Sequence, residues 1–282
     1  MEQFEFITDK GRVVFGWGSP YPFSSAEGVC EGSVTRQTLS YPDMDGCDYG
    51  EMLYEPRIVT INGYIYAPSR RELPRLRAEL TRMCNGKDKG TLKYFNGYRS
   101  YQAEAVGELP KFSAGTGAVL PFVCNFELFQ FYWSSDRETI ASAYQRVDKL
   151  RDTVQFPCVL TERVSAPAVL NQGDVQADMV ILIRCSAVKE GEYSDTRLDI
   201  VNQDTGAHIA LDYDIRQGET ITIDTEACTV TSDLAGNMLH RMNETSDFFK
   251  LAPGHNLIKT VDYSTAKSVS VEIHYREKFV GV

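Results

Sequence analysis

This chain lacks most of the signatures that announce an enzyme or a metalloprotein. Its seven cysteines, Cys30, Cys47, Cys84, Cys124, Cys158, Cys185 and Cys228, include no CxxC pair. Their odd number and wide spacing predict free thiols rather than a zinc site or a disulfide framework. No Gly-x-Ser-x-Gly turn is present to hold a strained serine nucleophile. The glycines of Gly16-Trp17-Gly18-Ser19-Pro20 are not followed in frame by a Lys-Ser or Lys-Thr pair and a helix, so they predict a turn and not a phosphate loop. No apolar run approaches the ~20 residues of a membrane span. The first residues, Met1-Glu2-Gln3-Phe4-Glu5-Phe6, have neither the basic flank nor the apolar stretch of a secretory leader, so assembly in the cytoplasm is expected, with no membrane partner. Positive charge is also short. Asp and Glu number 39 against 29 Lys and Arg, a formal net charge of −10, which argues against a sequence-specific grip on nucleic acid through its phosphates.

Ligand-bearing residues are present but scattered. The histidines His208, His240, His255 and His274 sit on different predicted strands or turns, none with a second ligand at metal spacing. Asp43, Asp45, Asp48 and Glu51 surround Gly46, yet their order is wrong for a calcium loop and no helices flank them. A polar loop joining two strands is expected there, without metal or cofactor. A glycosidase pair of carboxylates is harder to exclude, because its separation of roughly 5–10 Å is set by the fold. A sugar-binding module would need an aromatic platform. Trp17 and Trp133 lie outside the strand-rich second half, which leaves Tyr193, Tyr213, Tyr263 and Tyr275, residues that on half-buried strands more often serve packing.

What the chain does contain is strand grammar. With 282 residues it exceeds the common size of one domain, so two are expected. In Gly218-Glu219-Thr220-Ile221-Thr222-Ile223-Asp224 the apolar residues alternate with threonines, the period of a strand with one buried face. Phe248-Phe249-Lys250-Leu251 runs into Pro253-Gly254, which forces a sharp turn, and alternation returns at Val269, Val271, Ile273 and Tyr275. Upstream, Phe4 to Ile7 and Arg12 to Trp17 read as a hairpin around Asp9-Lys10-Gly11. Val29 to Leu39 reads as an alternating strand, and Tyr54 to Tyr66 as a strand pair.

The clearest helix lies near 69–84. Ser69 and Glu72 suggest a capping box, and Leu73, Leu76, Leu80 and Met83 share one face. Pro74 pulls the start toward Leu73, and Asn85-Gly86 ends the helix. Arg70, Arg71, Arg75, Arg77 and Arg82 crowd its outer face, either as a solvated side or as a binding patch. Past Trp133 a polar stretch reaching Asp152, a loop or short helix through Ile140, Ala143, Tyr144 and Val147, marks the boundary. The expected division is residues 1–137, a β domain with one helix, and residues 138–282, a β-sandwich or jelly roll.

Several runs, in this order and spacing, resemble the distal tail proteins of long-tailed bacteriophages. They are Tyr54-Glu55-Pro56-Arg57-Ile58, Gly63, the helix after Ser69, Tyr132-Trp133, Phe156-Pro157, Asn171-Gln172-Gly173-Asp174-Val175, Asn202 through Thr205-Gly206, and the Gly218–Asp224 and Phe248–Asn256 stretches. The resemblance implies a mostly β protein with an amino-terminal β domain carrying one helix and a galectin-like sandwich. It also implies a homo-hexamer in the virion tail, joining the tail-tube protein to the tail-tip and receptor-binding proteins, letting DNA pass, and having no catalytic residues. Gly173, Gly218 and Gly254 would supply turns, and Phe248, Phe249 and Leu251 would fill the sandwich. The net charge of −10 suits a channel that repels phosphates. A loop rich in Tyr, Met and Asp between two strands can reach a neighbour, so Asp43, Asp45, Tyr49 and Tyr54 are the candidate interface residues. The alternative function is a carbohydrate-binding module or adhesin.

Overall fold

A computed structural model describes residues 1–40, 42, 45–148, 161–165, 168–188, 197–262 and 267–282. The chain is mostly β, and it divides into two compact units, Met1–Asp136 with Phe279–Val282, and Arg137–Lys278.

The first unit opens with the expected hairpin, β1 (Gln3–Thr8) and β2 (Gly11–Phe15), paired Phe4↔Phe15 through Thr8↔Gly11. There follow β3 (Phe23–Glu27), β4 (Val34–Leu39), β5 (Asp48–Tyr54), β6 (Arg57–Tyr66), α1 (Leu73–Met83), β7 (Lys89–Phe95), β8 (Ser100–Gly107), β9 (Lys111–Phe112), β10 (Val119–Leu128) and β11 (Trp133–Ser135). The main sheet runs β2-β1-β7-β8-β10-β6-β3. Strict alternation gives each strand one inward face: Phe4 and Phe6 on β1, Val59, Ile61 and Ile65 on β6, and Phe122, Cys124, Phe126 and Leu128 on β10 are buried and pack together. Leu80 and Met83 of α1 close over this core, with Leu73 and Leu76 partly buried beside them. The Tyr21 hydroxyl donates to the Leu76 carbonyl at 3.0 Å and ties the helix to the sheet.

Three local expectations are corrected here. The helix begins at Leu73, where Pro74 pulls it, but the expected capping box does not form: Glu72 is the N-cap and no side chain caps it. Ser69 Oγ lies 3.3 Å from Glu72 Oε1, but the pair sits ahead of the first turn, because Pro74 has no N–H to give and fits only there. Tyr54 to Tyr66 is not a strand pair: β6 runs unbroken from Arg57 through Asn62-Gly63. A Cβ at Gly63 would stand 2.6 Å from the Pro22 carbonyl oxygen, so that glycine serves a close backbone approach rather than a turn. The alternation from Val29 to Leu39 becomes strand only from Val34.

The second unit is a sandwich built from β12 (Thr139–Asp148), β13 (Thr161–Ser165), β14 (Val169–Asn171), β15 (Met179–Val188), β16 (Arg197–Asn202), β17 (His208–Asp212), β18 (Thr220–Asp224), β19 (Thr229–Ser232), β20 (Gly236–Asn237), β21 (Gly254–Asn256), β22 (Ile258–Asp262) and β23 (Lys267–Tyr275). One sheet runs β13-β12-β23-β15-β18-β19-β20, a second β17-β16-β22, and β14 pairs with β21. Ile181, Ile183, Ile221, Ile223, Val271 and Ile273 from the large sheet share a core with Leu198, Ile200, Ile209 and Leu211 from the small one. Residues 139–148, expected as loop or short helix, form a strand instead. Their helical spacing is overridden by pairing with β23, Thr139↔Tyr275 through Gln145↔Ser270. Phe156-Pro157 and Cys158 fall outside the described residues.

Turn chemistry holds this unit at two places the sequence marked. Asn171 donates to the carbonyls of Val175 and Leu251, both at 3.0 Å, while its own carbonyl oxygen accepts from Gly173 N–H at 2.9 Å. Gly173 is required because a Cβ there would lie 2.6 Å from the Lys278 carbonyl oxygen. Asn256 straddles Pro253-Gly254, accepting from Ala252 N–H at 2.8 Å and donating to the Ala252 carbonyl at 2.7 Å. Phe249 and Leu251 are buried, and Phe248 packs partly against the same core.

Candidate assembly surface

The expected polar loop between Asp43 and Tyr54 is, for the most part, a strand. β4 and β5 form a two-stranded antiparallel ribbon, Val34↔Tyr54 through Leu39↔Asp48, with a register shift between Arg36 and Thr38, and neither strand joins the main sheet. Every β4 residue is exposed, and so are Leu39, Met52, Leu53 and Tyr54, at 57, 55, 60 and 47% of their accessible surface. An isolated two-stranded ribbon is marginal in water. This one therefore needs an anchor at its root or a partner along its length.

The root is anchored. Tyr54 stacks on Phe131 with ring centroids 4.0 Å apart, and Tyr132 meets both rings edge-on. A Cβ at Gly32 would lie 2.1 Å from the Phe131 ring, so only glycine lets the ring lie there. On β6, Arg57 is buried with its guanidinium over Phe131 at 4.3 Å. It donates to the Val29 carbonyl at 2.5 Å and to the carbonyl of Val280. Trp133 Nε1 donates to the same Val29 oxygen at 3.0 Å. Burial lowers the Arg57 pKa from its ordinary value. Glu55 closes the root, its N–H on the Ser33 carbonyl at 3.0 Å and its carboxylate accepting from Thr35 Oγ1 at 2.5 Å.

The four candidate interface residues do not form one cluster. Asp45 is exposed near the ribbon tip, beside Gly46 with its positive φ of 106°. Tyr54 lies at the opposite end, in the root. Tyr49 pairs through its backbone with Thr38, and Asp43 lies outside the described residues. Sequence reading missed Arg57 as the root's fastener, because its acceptors come from residues 28 and 223 positions away.

Among the described residues no group of three or more His, Cys, Asp and Glu could hold a metal ion, and no helix is long and apolar enough to cross a membrane. Glu219 is fully buried, but its carboxylate is engaged as a fastener, accepting from Tyr213 Oη at 3.1 Å, Arg216 N–H at 2.8 Å and Ser232 Oγ. Burial, and then the Glu219 carboxylate, push the Tyr213 hydroxyl up. Of the other tyrosines weighed as sugar platforms, Tyr275 is buried and donates to the Leu170 carbonyl at 2.7 Å. Tyr193 and Tyr263 fall outside the described residues.

A β domain with an exposed ribbon is followed along the chain by a β-sandwich. Residues 172–279 match the family model described as siphovirus-type tail component, C-terminal domain. The crystal structure of the SPP1 Dit (gp 19.1) protein, described as a paradigm of the hub adsorption apparatus in phages infecting Gram-positive hosts, has the same fold. Its TM-score is 0.70 at 13% identity, over 98% of this chain and 99% of that one. Chains of the phage P2 baseplate in its activated conformation, with Ca and with Sr, match at TM-score 0.55 and 12% identity over the whole of both chains. No curated protein sequence matches. The family match thus bears on the sandwich, and over the rest of the chain the likeness is one of fold.

Proposed function

We propose that the chain is a non-enzymatic hub subunit, six copies of which form a ring in the virion tail. The ring joins the tail-tube protein to the tail-tip and receptor-binding proteins, and its lumen lets DNA pass. Residues 1–137 are the ring-forming part and the sandwich that follows is a separate domain. The observation that carries this reading is the ribbon: a strand pair exposed on both faces, with apolar residues along it and a rigid root, is built to meet another chain. The acidic balance of −10 is multiplied by the number of copies, which keeps a passing duplex from adhering.

Light scattering of the purified protein is expected to give a hexamer, and electron images a ring with a hole wide enough for a duplex. A monomer at high concentration that forms no ring even beside tail-tube protein would overturn the reading. The segment Arg137–Lys278, expressed alone, is expected to melt cooperatively, because its core is its own.

A further inference from the structure

A ring needs two different surfaces on each subunit, one received by the other. The ribbon supplies the first. Its tip carries exposed Asp45 and Asp48, with Leu39 paired to Asp48, and exposed Glu51, Met52 and Leu53 follow along β5 toward the root. No described residue forms an ion pair with any of the three carboxylates.

The outer face of α1 has the opposite character. Between Ser69 and Cys84 five arginines stand against two glutamates, in a chain whose balance is −10. Glu79 is turned toward Tyr21: burial and then this carboxylate push the Tyr21 hydroxyl up. A hollow of about 640 Å³ lies along this face, with Leu73, Pro74, Ala78 and Leu120 as its apolar floor and Arg77 and Arg82 as its charged walls. The Arg77 guanidinium is held 4.7 Å above the Phe112 ring, and neither arginine is in an ion pair with a described residue. An arginine held by an aromatic face loses less freedom when a carboxylate arrives.

We infer that this hollow is the socket for the ribbon of a second copy of this chain. Leu53 covers the apolar floor, and Asp45, Asp48 and Glu51 meet Arg77 and Arg82. The contact is heterologous, ribbon into socket, so each copy gives one and receives one, and closure leaves neither surface free. The inference rests on the hub reading and names the two surfaces that make the ring.

Cys47, exposed beside the acidic residues, provides the test in the full-length chain. With Ala78→Cys in the socket and the exposed Cys30 and Cys228 changed to Ser, a short bismaleimide is expected to give a covalent ladder of dimers and larger species. Adding Cys47→Ser should abolish it. Independently, Arg77→Glu with Arg82→Glu is expected to weaken self-association about tenfold or more by setting like charges against each other. Asp45→Lys with Asp48→Lys in the same chain should restore it. All these positions are exposed, so unchanged melting temperatures certify that the variants are folded. Rings that form undiminished in the arginine variant, with no ladder from Ala78→Cys, would overturn the socket and leave the hub reading intact. A wild-type chain that forms no ring with tail-tube protein present would instead overturn the hub reading itself. Ladder and charge rescue together establish the contact.

Discussion

Two antiparallel pairs in this molecule look alike locally and live in opposite surroundings. β15 with β18 pairs Ile181↔Ile223 and Ile183↔Ile221, and all four isoleucines are fully buried. β4 with β5 pairs Val34↔Tyr54 and Thr35↔Leu53, and these residues are exposed. β15 and β18 are flanked in turn by β23 and β19, so each strand is paired on both edges, whereas the outer edges of β4 and β5 adjoin no described strand. The cover differs too: the sandwich strands have a second sheet to bury their apolar face, while the ribbon is packed by Phe131 and its neighbours at one end. A strand pair is a local product of the chain, whereas its stability is given by what lies over it.

The largest effect expected from that difference is in the sandwich. Ile183→Ala or Ile221→Ala removes methyl groups from a fully packed core and is expected to cost about 2–5 kcal/mol in denaturant unfolding. A loss under about 1 kcal/mol would mean that the core is loose enough to collapse around the gap, and that the two strand pairs are less different than their burial indicates.

Asn171→Ala comes next. It leaves the carbonyls of Val175 and Leu251 without their donor and Gly173 N–H without its acceptor, all in or beside the core, at an expected cost of about 1–3 kcal/mol. Asn171→Asp keeps the acceptor but loses both donations, so it should fall near the alanine variant and not near wild type.

A smaller effect is confined to acid. Burial alone would raise the Asp178 carboxyl, but the ammonium of Lys250 at 2.8 Å and that of Lys278 at 2.6 Å outweigh it and hold its pKa below the usual carboxylate value. A carboxyl depressed in the folded state stabilises the fold above its unfolded pKa, near 4, and the gain is lost as pH falls through the lower folded value. Melting temperatures of wild type and Asp178→Asn are therefore expected to differ at pH 6 and to converge toward pH 2. A difference that persists unchanged to pH 2 would show that shape rather than charge is what Asn alters.

Much of this was legible in the sequence where one residue decides its own surroundings. Ile221 and Ile223 declare a buried face by alternation, Pro253-Gly254 declares a turn, and Leu73, Leu76, Leu80 and Met83 declare a helix and the side it buries. Legibility failed where the deciding partner is distant. Nothing in Thr139–Asp148 says that β23 will capture it as a strand. Nothing beside Arg57 announces the carbonyls of Val29 and Val280. The alternation of Val34-Thr35-Arg36-Gln37 has the same form as that of a covered strand, so the ribbon's exposure could not be read from it. The arginines of α1 were visible as a crowd, but the hollow between Arg77 and Arg82 needs Leu120 from β10 to exist.

The smallest effect on stability is expected in the ribbon, and it is the most direct way to break the comparison. Leu53 is 60% exposed in the isolated subunit, so Leu53→Ser removes little that folding had taken from water and should change unfolding free energy by no more than about 0.5 kcal/mol. Its cost should appear instead in assembly, as a shift of the subunit–ring balance toward subunits in light scattering at matched concentration, because the side chain is covered only when a neighbour covers it. Ile183→Ala is the converse control: the same two measurements should show a large loss of stability, with ring formation unchanged wherever the subunit stays folded. A ribbon variant that unfolds readily as a subunit would mean that Leu53 is already packed within its own chain, and the contrast between covered and uncovered strand pairs would disappear.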